Sequence, residues 1–179
     1  YGENWEKENN PEKYLKILKE MLNGYRRLGI TNLSAMYGEG WISENRIAYE
    51  ILNAQGIRMI VWCTPDSELE QNRKYLPNVK EEDYPIIKIK EGSKQESGGR
   101  IDFFNHNAKV LIRNQKNDYF IKGMRGGMLG YSEQITEDDM YCNGITGKEM
   151  HNWGAYWYTK VYGEATREIV DDDYIYYCR

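Results

Sequence analysis

Residues 101–131, IDFFNHNAKVLIRNQKNDYFIKGMRGGMLGY, decide how the fold is read. Residues 101–113 mix aromatic, β-branched and aliphatic side chains, and a second short run of the same kind starts at Asp118, so the stretch predicts a hairpin turning at Gln115, Lys116 and Asn117. Such a hairpin belongs in the middle of a sheet. Alternation along a strand puts Asn107 and Lys109 on one face and His106, Ala108 and Val110 on the other. Gly123, Gly126, Gly127 and Gly130 follow, where a backbone without Cβ lets a ligand approach closely.

Working outward toward the N-terminus, Tyr14, Leu18, Met21, Leu22, Tyr25 and Leu28 recur every three or four residues, which predicts an amphipathic helix over 11–28 with Pro11 in its first turn and Gly29 closing it. Residues 30–37 read as a strand. After the Gly38-Glu39-Gly40 turn, Ser43 can cap a helix carrying Ile47, Ala48, Ile51 and Leu52 that ends at Gly56, and residues 57–62 form a second strand. Strand, helix, strand in that order implies a parallel pair. Pro65-Asp66-Ser67 can open a further helix stopped by Pro77, residues 84–90 read as a strand, and the polar stretch EGSKQESGG at 91–99, just before the central hairpin, predicts a mobile loop on the rim of the site.

Toward the C-terminus, residues 132–140 read as helical, 142–147 as turns, the aromatic run 153–163 as a strand and 164–170 as a short helix. The fold class that follows is α/β: one domain over residues 1–179, with a mixed, mainly parallel central sheet and helices on both faces.

The central stretch resembles the signature of the phospholipase D superfamily, which is His-x-Lys, four residues, Asp, a short strand and a Gly-Ser-x-Asn-like turn. Here it reads Asn107-Ala108-Lys109, then VLIR, Asn114, YFIKG and Met124-Arg125-Gly126. The order of elements extends the resemblance over residues 11–170. What it implies is a phospholipase D-like half and a metal-independent phosphodiesterase that needs no cofactor, with nucleic acid favoured over lipid as substrate. In that family one histidine attacks phosphorus to form a phosphohistidine, and a second protonates the leaving group.

By the same resemblance Asn107 takes the nucleophile position, and Lys109 supplies charge to the phosphoryl oxygens. Asn114, Arg125, His106 and Glu133 stand around the substrate. An amide cannot act as the nucleophile, so Asn107 implies either a parent protein with histidine there or a binding or structural module that kept the fold without the chemistry. One half-motif per chain implies a homodimer that brings the two copies of residues 107–109 together.

Composition sets outer bounds. A net charge of −4 with 29% charged residues lacks the basic excess of a protein that holds nucleic acid by electrostatics alone. The 13% aromatic content, with 16 tyrosines, could stack bases or sugars but suits packing around a sheet better. Cys63, Cys142 and Cys178 are scattered and odd in number, which argues for free thiols in a reducing, cytoplasmic setting rather than a disulfide framework. Two histidines and the acidic runs 137–139 and 171–173 do not have metal-ligand spacing. No apolar run approaches the roughly 18–20 residues of a membrane span. The first residue is Tyr1 rather than Met, as expected if a signal or upstream segment precedes it.

Overall fold

A computed structural model describes residues 11–38, 52–65, 72–87, 99–121, 123–130 and 135–178. Helix α1, Pro11–Arg27, buries Leu18 and Leu22, one turn apart, and carries Arg26 and Arg27 in its last turn, where positive charge complements the helix dipole. Gly29, at φ +71°, ends it in the left-handed conformation that glycine adopts without strain. Strand β1, Asn32–Gly38, follows. Residues 52–54 are helical and lead through Gly56 into β2, Arg58–Cys63.

The short strands β3, Ile86–Ile87, and β4, Arg100–Ile101, pair antiparallel. Helix α2, His106–Phe120, leads to β5, Met124–Leu129. Two further helices, α3 at Gly147–Met150 and α4 at Gly154–Val170, precede β6, Ile175–Cys178.

The main sheet has the order β1-β2-β5-β6, and every pairing in it is parallel. Asn32 pairs with Arg58, Val61 with Gly127, and Met128 with Tyr177. The protein is therefore α/β with a mainly parallel sheet, as its sequence predicts. Within this sheet each strand lies beside the sheet strand before it in the chain, so the order never reverses. Right-handed crossovers in such a series carry the connecting helices to the same side, which is how the wall of a (β/α) barrel is built.

Met59, Val61 and Cys63, on one face of β2, share a single apolar cluster with Leu18 and Leu22 of α1, Ala108 and Ile112 of α2, and Tyr158 and Tyr162 of α4. Ile60 and Trp62 point to the opposite face, where Trp62 pairs in register with Met128.

The central hairpin expected at 101–121 is replaced by α2. Its buried positions Ala108, Leu111, Ile112, Lys116 and Phe120 lie at i, i+3, i+4, i+8 and i+12, one face of a helix, and the Asn105 side chain accepts a hydrogen bond from the Asn107 backbone N–H at 2.8 Å. A capped stripe of helical period outweighs the strand propensity of isolated aromatic and β-branched residues. Asn107 and Lys109 consequently do not stand side by side on a strand.

The strand expected at 153–163 is likewise helix, part of α4. Tyr158, Val161, Tyr162 and Ala165 are buried at helical spacing. Of the helix expected at 132–140, residues 132–134 lie outside the described residues and 135–140 are not helical, with a turn at 137–138. Arg73–Tyr75 is a 3-10 turn in the span expected to be helical at 65–77. The expected helix at 43–51, residues 88–90 of the strand expected at 84–90 and the loop at 91–98 lie outside the described residues, while Ile86–Ile87 within that span is strand β3.

Candidate functional site

The residues singled out in the sequence are dispersed. Asn107, in the first turn of α2, donates its side-chain amide to the Asp83 carbonyl at 3.1 Å, and His106 beside it is exposed. Lys109 pairs with Glu168 of α4 at 2.5 Å, and Arg113 joins the same carboxylate at 3.1 Å. These two bonds hold the Glu168 carboxyl below the usual range. Asn114 donates to the Tyr75 carbonyl at 2.8 Å.

Arg125 lies at the start of β5. It donates to the Phe120 and Met124 carbonyls at 3.0 and 2.7 Å and pairs with Asp173 at 3.3 Å. That is the N-terminal edge of the sheet, where Arg58 also reaches Asp173, at 2.6 Å. Glu133 lies outside the described residues.

The opposite, C-terminal edge gathers more of the chain. Gly130 donates its backbone N–H to the Cys63 carbonyl at 3.0 Å, and Ile101 donates to the Pro65 carbonyl at 3.1 Å, so the ends of β2 and β5 and the β4 segment meet there. The Tyr162 hydroxyl donates to the Thr64 carbonyl at 3.3 Å. In parallel sheets built this way the loops beyond the strand C-termini carry the binding groups.

Two acids support this edge. Asp102 is buried and accepts from the backbone N–H groups of Phe104 at 3.0 Å and Cys142 at 2.7 Å. Asp139 forms a buried ion pair with Arg100 and also accepts from the Thr136 backbone N–H and hydroxyl at 3.1 and 2.7 Å. Burial, reinforced by the Asp102 carboxylate, pushes the Cys142 thiol up to about 11. Burial and the neighbouring Asp139 likewise push the Tyr141 phenol above its ordinary range.

Above these acids the Phe104 ring meets Trp157 edge-on at 4.8 Å and Tyr141 at 5.6 Å, closing an aromatic ridge over the edge. The expected reading of residues 142–147 as turns gave no hint of this ridge. The signal lay in the helical spacing of Trp153 and Trp157, four residues apart.

No family model and no curated protein matches the sequence. Several solved enzymes share a similar fold. The cycloalternan-degrading enzyme from Trueperella pyogenes aligns at a TM-score of 0.66 with 15% identity, over 92% of this chain and 30% of its own. The Flavobacterium johnsoniae GH31 dextranase complexed with glucose aligns at 0.67 with 14% identity, over 92% and 24%. A GH31 family sulfoquinovosidase from E. rectale aligns at 0.55 with 22% identity, over 75% and 21%.

The chain thus spans under a third of the length of each of these proteins. The likeness corrects the resemblance to the phospholipase D superfamily, together with the phosphodiesterase and nuclease activity it implied. The expectation of a homodimer rested on the same motif and loses that support. Among the described residues no helix is long and apolar enough to cross a membrane. At these identities the comparison establishes that the chain shares the fold of these sugar-active proteins.

Proposed function

We propose that this chain is part of the barrel wall of a protein that acts on glycosides, with the glycan held across the C-terminal edge of the sheet. The observation that carries the reading is the unreversed parallel order β1-β2-β5-β6, with the segments after β2 and β5 converging on one edge. Its likeness in fold to a dextranase and a cycloalternan-degrading enzyme supports a glucoside as the ligand class.

Glycoside hydrolysis needs two carboxyl groups, one protonating the leaving oxygen and the other acting as nucleophile or activating water. Asp102 and Asp139 are already committed to backbone N–H groups and to Arg100. In the sequence Glu39 directly follows β1, Asp66 follows β2 by three residues and Glu133 follows β5 by four. These are the carboxylates that the hydrolytic reading assigns to chemistry.

The commitment of Asp102 and Asp139 favours a second reading, glycan binding without bond cleavage. Incubation with isomaltotriose separates the two. Release of glucose or isomaltose that is lost in Glu39→Gln, Asp66→Asn or Glu133→Gln supports hydrolysis, whereas saturable binding without release supports the second reading. Neither binding nor release would end both.

A further inference from the structure

Between α3 and the first turn of α4 lies an open pocket of about 350 Å³, lined by Ile145, Glu149, Met150, Trp153, Tyr156 and Trp157. Its volume falls near the lower end of the roughly 300–1,000 Å³ typical of small-molecule sites. Trp153 is 59% exposed and Tyr156 53%, although large aromatic side chains usually bury most of their surface. Helical spacing brings the three rings to one side. Trp153 and Tyr156 meet at 82° with centroids 5.9 Å apart, and Tyr156 and Trp157 at 79° and 5.4 Å.

Trp157 is anchored from behind by Phe104, and Met150 forms a buried floor. The pocket is therefore walled by rings set at right angles to one another.

The polar group is positioned as firmly. Glu149 closes a capping box on α3: its Oε2 accepts from the Thr146 backbone N–H and hydroxyl, both at 2.8 Å, while the Thr146 hydroxyl accepts from the Glu149 backbone N–H at 3.4 Å. These bonds hold its carboxyl below the usual range, so it stays an acceptor at neutral pH. Among the described residues both side-chain bonds fall on Oε2, which leaves Oε1 lone pairs for a ligand.

Rings that offer flat apolar faces beside a fixed acceptor suit a ligand with C–H groups on one face and hydroxyl donors around its edge. A pyranose ring has that form. A cationic ligand fits less well, because the Lys160 ammonium already sits 4.6 Å from the Trp157 ring centroid and would repel it.

We infer that the Trp153–Tyr156–Glu149 pocket is a glycan-binding subsite that stacks a pyranose ring on the aromatic walls and accepts its hydroxyls on Glu149. This rests on the reading of the protein as glycoside-active and adds a second place of contact, outside the strand ends. It also accounts for two large aromatic residues left exposed where the ridge reaches the surface.

The test is titration of the protein with isomaltotriose and, separately, with maltotriose, following intrinsic tryptophan fluorescence and heat. The proteins compared are the unmodified chain, Trp153→Ala, Trp153→Phe and Glu149→Gln. Trp153→Ala is expected to weaken binding of at least one sugar about ten-fold or more, the order of one lost stacking contact, and to reduce the fluorescence change to what Trp157 alone reports, with Trp153→Phe in between. Because Glu149 also caps α3, Glu149→Gln is read only with an unchanged circular dichroism spectrum, and it should weaken binding with Trp153 intact. Unchanged affinity in both Trp153→Ala and Glu149→Gln would overturn the subsite while leaving glycan binding at the strand ends standing. No binding of either sugar by the unmodified protein would overturn the subsite and the broader reading together.

Discussion

The Lys116 ammonium lies 3.9 Å from the Cys63 sulfur and 5.0 Å from the Tyr162 ring centroid, inside the layer between α2, α4 and β2. The lysine is 1% exposed. Burial lowers its pKa from 10.5 to about 7 and raises that of the Cys63 thiol from 9.0 to about 12.

These shifts fix the direction of a pH dependence. Between about pH 7 and 10.5 the unfolded chain holds the Lys116 proton that the folded chain has released, so stability rises with pH across that window. Below pH 7 both states are protonated, and the Lys116 contribution is flat. Cys63 acts in the other direction above pH 9, where the unfolded thiol ionises and the folded one does not. Denaturant titrations should therefore show a gain on the order of 2 kcal/mol from pH 7 to 9. Lys116→Met should remove the slope and raise stability at pH 7.

The Arg100–Asp139 pair is buried on both sides. Asp139→Ala strands a guanidinium away from water and also removes the acceptor for Thr136, so it should cost roughly 3–5 kcal/mol. Arg100→Met combined with Asp139→Leu should recover much of that loss, because the charge that needs a partner is gone. Thermal or denaturant unfolding of the single and double variants checks both statements.

Gly126 sits in β5 at φ +145°, and a Cβ there would run into the Ile175 backbone of the neighbouring strand. Gly126→Ala should destabilise by at least about 2 kcal/mol and loosen β6 first. Amide exchange at residues 175–178 should quicken more than at β2. Equal quickening in both strands would contradict this account of β5–β6 packing.

Asn107→His restores the histidine of a phosphodiesterase-like motif but places it on a helix, beside the Asp83 carbonyl. The variant should release no product from single-stranded DNA or a generic phosphodiester in the presence of chelator. Turnover there would reopen the chemistry that the fold removes.

The parallel pairing of β1 with β2 was legible because each reads as a short apolar run and glycines punctuate the chain between them, at Gly38 and Gly56. α2 was misread because Ile101, Phe103 and Phe104 continue the apolar run into Val110 and Leu111, hiding where Asn105 caps the helix. The spacing of Ala108, Leu111, Ile112 and Phe120 was the better guide. α4 was misread for its aromatic load: Tyr156, Trp157 and Tyr158 favour a strand locally, and only Tyr158, Val161, Tyr162 and Ala165 taken together show the helical stripe. The edge cluster could not be read at all, since Arg100 and Asp139 are brought together by folding across 39 residues.

The most direct test of the central claim is amide hydrogen exchange of the protein with and without isomaltotriose. A glycan held at the C-terminal edge of the sheet predicts slowed exchange at residues 64, 100–104 and 130, with Arg58, Arg125 and Asp173 at the other edge unaffected. Slowing confined to the Arg58–Arg125–Asp173 edge, or none at saturating sugar, would contradict it.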